Sequence, residues 1–140
     1  MSQLNLLKNV DFYQTRTNAR KVLKSYRRLD RIAGRSIVDL RSPIIDNMPK
    51  AESYGNKTED AVVQHIDAEG DRNAIVAGLY TLKLTSRQIL YYSFCLQETY
   101  SNTKIANELG YSKRQIERMK AEALIEFAEA YRHGKLIAYK

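Results

Sequence analysis

Wherever the chain shows a hydrophobic period, apolar residues recur at three- and four-residue intervals, and no stretch of useful length alternates apolar with polar positions. That period belongs to helices with one buried face, so the expected fold is all-α. Over residues 15–33 the stripe is Ala19, Val22, Leu23, Tyr26, Leu29, Ile32 and Ala33, and Gly34 ends it. From Thr58 onward a second stripe follows Ala61, Val62, Ile66, Ile75, Leu79 and Leu82. Gly70 and Asp71 fall inside it, which predicts either one kinked helix or two. Thr85 and Gln88 then have the spacing of a capping box. The helix they would open carries Ile89, Leu90, Tyr92, Phe94 and Leu96, apolar almost all round, as a central scaffold helix should be.

The period is sharpest near the C-terminus. Ser101 is the expected N-cap of a short helix with Ile105, Ala106 and Leu109 on its inner face. Gly110 stops that helix in a position suited to the left-handed conformation, and Tyr111 is expected to plug the angle beyond it. Ser112 and Gln115 form the S-x-x-Q box of a second helix, whose Ile116, Met119, Ala123, Leu124 and Phe127 face the core. Lys113, Arg114, Gln115, Glu117, Arg118 and Lys120 are left on its other face. Residues 41–56 hold both prolines and a glycine with no sustained period. The chain thus divides into a basic N-terminal helical segment at 1–40, a linker or extended arm at 41–57, and a helical domain at 58–140 with a helix-turn-helix at 101–128.

Composition adds a partner class. The 140 residues are 44% hydrophobic, enough for a modest core, and 23 Lys or Arg outweigh 16 Asp or Glu to give a net charge of +7. Nearly all the excess lies between Asp11 and Arg41, where nine Lys or Arg face three Asp, a net +6. Such a balance draws polyanions through counterion release, with DNA, RNA and acidic lipid equally served. The basic N-terminal helix has three readings: a grip on DNA phosphates through residues such as Arg27 and Arg28, a pairing helix between two copies of the chain, or a solvated amphipathic helix. No run of about 18 apolar residues suggests a membrane span. MSQLNLLKNV has neither the basic lead nor the long apolar segment of a secretory signal, so a cytoplasmic protein without a membrane partner is expected.

The second C-terminal helix carries side chains suited to the major groove. Arg or Lys can bond guanine O6 and N7, Gln can pair with adenine, and Glu can accept from cytosine N4. Lys113, Arg114, Gln115, Glu117 and Arg118 are therefore candidate base readers, and Ser112 and Lys120 candidate backbone contacts. The plainer alternative is a solvated face on which neighbours such as Lys113 and Glu117 merely pair. An enzyme is disfavoured. His65 and His133 are far apart in sequence, no Cys/His metal spacing occurs, and no glycine-rich phosphate loop is present. His65 reads as a polar helix residue, Asp67, Glu69 and Asp71 as a solvated turn, and the single Cys95 as packing. No catalytic residue, metal or cofactor is expected.

The run SKRQIERMKAEALIEF, with IANELG before it, resembles the promoter-reading fourth region of bacterial sigma factors. More of the chain resembles the ArpU-type family of phage and prophage late-gene regulators, related to the RinA and LtrC types. That match runs through Ser42, Pro43, Asp46, Met48 and Pro49, then Asn56 and Glu59, then the reader from about Leu84 to Ala130. The resemblance implies a DNA-binding activator of a phage late operon, working at the nucleoid of a bacterial host cell. By it, Lys113, Arg114, Gln115, Glu117 and Arg118 take the base-facing positions, and Thr103 and Lys104 contact phosphate. Glu117 stands where sigma factors commonly have a basic residue, so their promoter specificity does not carry over unchanged. The expected partner is double-stranded DNA, with host RNA polymerase and a second copy of the chain as further candidates. A small terminase-like DNA-packaging protein is the alternative function, and a structural adaptor without salt-dependent DNA affinity the third.

Overall fold

The structure, a computed structural model, describes residues 9–34 and 59–140. It is all-α. Helix α1 (Phe12–Lys24) is opened by Asp11, whose carboxylate accepts from the Gln14 N–H at 3.0 Å, and Lys21 and Lys24 sit at its negative end. The single helix expected over 15–33 is divided. The Ser25 hydroxyl donates to the Val22 carbonyl, a local bond that competes with the helical ladder, and α2 (Tyr26–Ala33) starts afresh. The break rephases the apolar stripe. Tyr26 and Ala33 are buried and Leu29 half-buried, while Ile32 falls off the stripe and is 49% exposed.

Helix α3 (Glu59–Thr81) runs through Gly70 and Asp71 without interruption, so of the two expectations there the single helix holds. Along its inner face buried Ala68, Arg72, Ile75, Leu79 and the following Leu82 repeat at four and three, with Val76 and Gly78 buried beside them. A mid-helix glycine costs about 1 kcal/mol against alanine, which this packing outweighs. Ile66, expected on the stripe, is exposed. Arg72 is only 2% exposed, and its guanidinium donates to Asp30 Oδ1 at 3.2 Å and to the Gly34 carbonyl, tying the end of α2 to α3. A buried cation is tolerated only with such partners.

Helix α4 (Leu84–Leu90) begins before the expected Thr85 box. Its cap is Lys83 in extended conformation without a side-chain bond, so Thr85 lies inside the first turn. The early start follows from the Arg87 N–H donating to the Lys83 carbonyl at 3.0 Å, and from buried Ser86, whose hydroxyl donates to Glu126 at 2.8 Å. The helix widens into a π-turn at Tyr91–Cys95, where the Leu96 N–H reaches back to the Tyr91 carbonyl. Ile89, Leu90 and Phe94 are buried as a scaffold requires, whereas Tyr92 and Leu96 are half-buried.

Two helices complete the fold, α5 (Asn102–Leu109) and α6 (Lys113–Ala130), followed by a 3-10 turn at Tyr131–His133. The larger core joins α1, α2, α3, the π-turn and the second half of α6 through Leu23, Tyr26, Ile75, Leu79, Leu124 and Phe127. Gly78 lets α3 and α6 approach closely, since a Cβ there would lie 3.1 Å from the Phe127 ring. A smaller core, Ile89, Ile105, Ala106 and Ile116, joins α4, α5 and the start of α6. The chain's last residues return to α1: the Asp11 N–H donates to the Ala138 carbonyl at 2.8 Å, and the Ala138 N–H to the Thr15 hydroxyl at 2.9 Å. The arm expected at 41–57, with Ser42, Pro43, Asp46, Met48, Pro49 and Asn56, lies outside the described residues.

Candidate nucleic-acid interface

The helix pair α5–α6 is built from local signals. Ser101 caps α5 by accepting from the Lys104 N–H at 3.2 Å. Gly110 ends it at φ 80, ψ 30, a conformation that strains any residue with a Cβ, and the N–H groups of Gly110 and Tyr111 both donate to the Ala106 carbonyl. Ser112 opens α6 with both halves of the box. The Gln115 N–H donates to the Ser112 hydroxyl at 3.1 Å, and the Gln115 side-chain oxygen accepts from the Ser112 N–H at 3.0 Å. Ile105, Ala106 and Ile116 then meet Ile89 in the small core, which fixes the roll of α6 about its axis.

Tyr111 does not plug the interhelical angle. It is 38% exposed, because the four aliphatic side chains, backed by Leu109 and Met119, already fill that space. The aromatic packing comes from Tyr100, whose ring stacks on Tyr92 with centroids 4.9 Å apart and planes within 2°. Periodicity could not indicate that pair, because Tyr92 is set by the π-turn.

Of the core positions expected on α6, Ile116, Ala123, Leu124 and Phe127 are buried and Met119 half-buried. The opposite face carries Lys113, Arg114, Gln115, Glu117 and Arg118, all exposed. Among the described residues, Glu117 forms no ion pair with Lys113 or any other cation. Gln115 is less free than its exposure suggests. With its oxygen held in the box, only its amide N–H groups remain for a partner, so a two-bond adenine contact would require opening the cap.

The candidate backbone contacts are spread over three helices. Thr103 and Lys104 are exposed in the first turn of α5, with the Lys104 ammonium 4.1 Å from the Tyr100 ring centroid. Ser112 is exposed at the cap of α6. Lys120, expected on the free face, is half-buried instead. Its Nζ donates to Asn102 Oδ1 at 3.3 Å and lies 5.2 Å from the Phe94 centroid. Burial first, then the charges of Arg20 and Lys24, hold its ammonium below the usual lysine range. Arg27 and Arg28 belong to α2, which packs chiefly on α3, so they are not gathered with the α6 residues.

Elsewhere, Cys95 is buried and its thiol pushed up by burial. His65 lies within α3 and His133 in the 3-10 turn at φ 59, while Asp71, expected in a solvated turn, is helical and pairs with Arg132 at 2.8 Å. Among the described residues no group of three His, Cys, Asp or Glu could hold a metal ion, and no helix is long and apolar enough to cross a membrane.

These features define a small all-α protein that holds one polar helix face outward on a capped helix pair. The chain belongs to the ArpU family. It is 62% identical over 137 residues to a protein of Enterococcus hirae, a match covering 98% of this chain and 100% of that one. It is also 29% identical over 136 residues to a protein of Streptococcus phage O1205, covering 94% and 97% of the two chains. Both relatives carry the name "Putative autolysin regulatory protein ArpU". No protein-family model matches the chain. No solved structure matches it.

Proposed function

We propose that this chain is a sequence-specific DNA-binding transcriptional regulator that activates phage or prophage late genes. In this reading α5 and α6 are a helix-turn-helix of the sigma region 4 type, and α6 enters the major groove with Lys113, Arg114, Glu117 and Arg118 toward the base edges. The observation that carries it is the outward face of α6: these four side chains are exposed and unpaired among the described residues, on a helix whose roll is fixed by Ile116. An ordinary surface helix would be expected to pair some of them at i+4. A regulatory role agrees with the names of both relatives, and a phage setting with the source of the second.

The work is binding and positioning, with no chemical step. Thr103 and Lys104 at the start of α5 are the proposed phosphate contacts, and the Ser112–Gln115 box holds the entry of α6 in place. Host RNA polymerase is the proposed partner in activation, in the bacterial cytoplasm. The test is protection of DNA by the purified chain across the phage or prophage genome that encodes it. Protection of a discrete site upstream of late genes is expected. Uniform coating of all fragments would contradict a sequence-specific regulator, and ring-shaped assemblies bound to packaging sites would favour a terminase-like role.

A further inference from the structure

The basic N-terminal segment does not act as one piece, because the break at Ser25 sends its halves to different neighbours. α1 packs against α6, whereas α2 packs chiefly on α3. Two contacts place α1 along α6. Phe12 and Arg16 share a cleft with Ala121, Glu122, Ile125 and Glu126 of α6 and with Lys83. One to two turns further along α1, Arg20 and Lys24 are within electrostatic reach of Lys120. α1 therefore lies along the middle of α6, and its last two turns come near Lys120, two residues beyond Arg118 of the reading face.

Arg20 and Lys24 are four residues apart, hence on one side of α1. Neither they nor Lys120 have a carboxylate within ion-pairing distance among the described residues. Lys120 is instead held by Asn102 and the Phe94 ring, which fixes its ammonium where α1, α5 and α6 meet. Three cations gathered without an ion-paired acid repel one another, and an anion placed among them relieves that repulsion.

We propose that Arg20, Lys24 and Lys120 form a grip for the phosphate backbone of duplex DNA beside α6, and that Arg27 and Arg28 lie outside it. The inference rests on the reading of α6 as the DNA-contacting helix. It makes α1 part of the same surface, so that backbone contacts flank the base-reading end of α6 from a second helix. The lowered proton affinity of Lys120 agrees with this, since a phosphate beside it would offset the repulsion from Arg20 and Lys24.

The experiment titrates the full chain onto a random-sequence duplex and onto the footprinted duplex, from about 50 to 200 mM salt. Arg20→Gln/Lys24→Gln and Arg27→Gln/Arg28→Gln are compared with the unaltered chain. Each lost phosphate contact flattens the log–log salt slope by about 0.9. The Arg20/Lys24 pair should lower it by about 1.8 and weaken both duplexes in the same proportion, and the Arg27/Arg28 pair should leave it unchanged. If the Arg20/Lys24 pair keeps the slope while the chain still prefers its own site, the grip is overturned and the reading of α6 stands. Equal flattening by the Arg27/Arg28 pair overturns the assignment to α1. Absence of salt-dependent binding by the unaltered chain overturns both. Should the double variant lose helical circular dichroism, Lys24→Gln alone, at an exposed position, is expected to lower the slope by about 0.9.

Discussion

On α6 five neighbouring polar residues have different degrees of freedom, and their variants should separate accordingly. Arg114→Ala or Arg118→Ala removes an exposed cation, and each should relax preference at one or two base positions by about 1–3 kcal/mol, measured on substituted duplexes. Glu117→Ala should raise affinity for random duplex, because an unpaired carboxylate repels phosphate, while it erodes discrimination. Ser112→Ala breaks the box and should lower stability by about 1 kcal/mol in urea unfolding. Lys120 has a pH signature. Its proton is held less tightly folded than unfolded, so its contribution to stability grows as pH rises from the lowered folded value toward 10.5. Lys120→Met should remove that rise, seen as a difference between the two proteins' alkaline unfolding curves, and weaken DNA binding at neutral pH.

Elements that depend on near neighbours in sequence were the most legible. Ser101, Gly110 and the Ser112–Gln115 box act within four residues of themselves, so the turn between α5 and α6 could be read directly. Gly110→Ala should cost about 1–2 kcal/mol through strain at φ 80, checked by the unfolding midpoint. What was not legible depends on tertiary packing. The break at Ser25 turns on one hydroxyl bond, the early start of α4 on buried Ser86, and the displacement of Tyr111 on aliphatic side chains from three helices. Lys120 was misplaced for the same reason, since its burial comes from Asn102 and Phe94 on other elements. Arg72 was not singled out at all, because nothing local distinguishes a buried arginine from the many exposed ones. Arg72→Met keeps the stem and removes the charge that ties α2 to α3. It should destabilise by about 3 kcal/mol, the lower part of the range for broken buried pairs, because Asp30 is 25% exposed.

The whole molecule is organised around α6, whose two halves belong to different cores. Its second half is locked among α1 and α3 by Leu124 and Phe127, and its first half is seated on α4 and α5 by Ile116. One rigid helix thus carries the polar face outward at one end while the other end is anchored, an arrangement that in the proposed function would orient base contacts without relying on a loop. In the proposed function the net +7 charge supplies attraction to any duplex, and sequence preference comes from the α6 face. The most direct test of that division is equilibrium binding of the unaltered chain, Arg114→Ala and Arg118→Ala to the footprinted duplex and to a scrambled duplex, at one fixed salt concentration. The account predicts a large loss on the footprinted duplex and a small one on the scrambled duplex for both variants. Equal proportional losses on the two DNAs, in variants that remain folded, would contradict it and leave α6 as a backbone-gripping helix only.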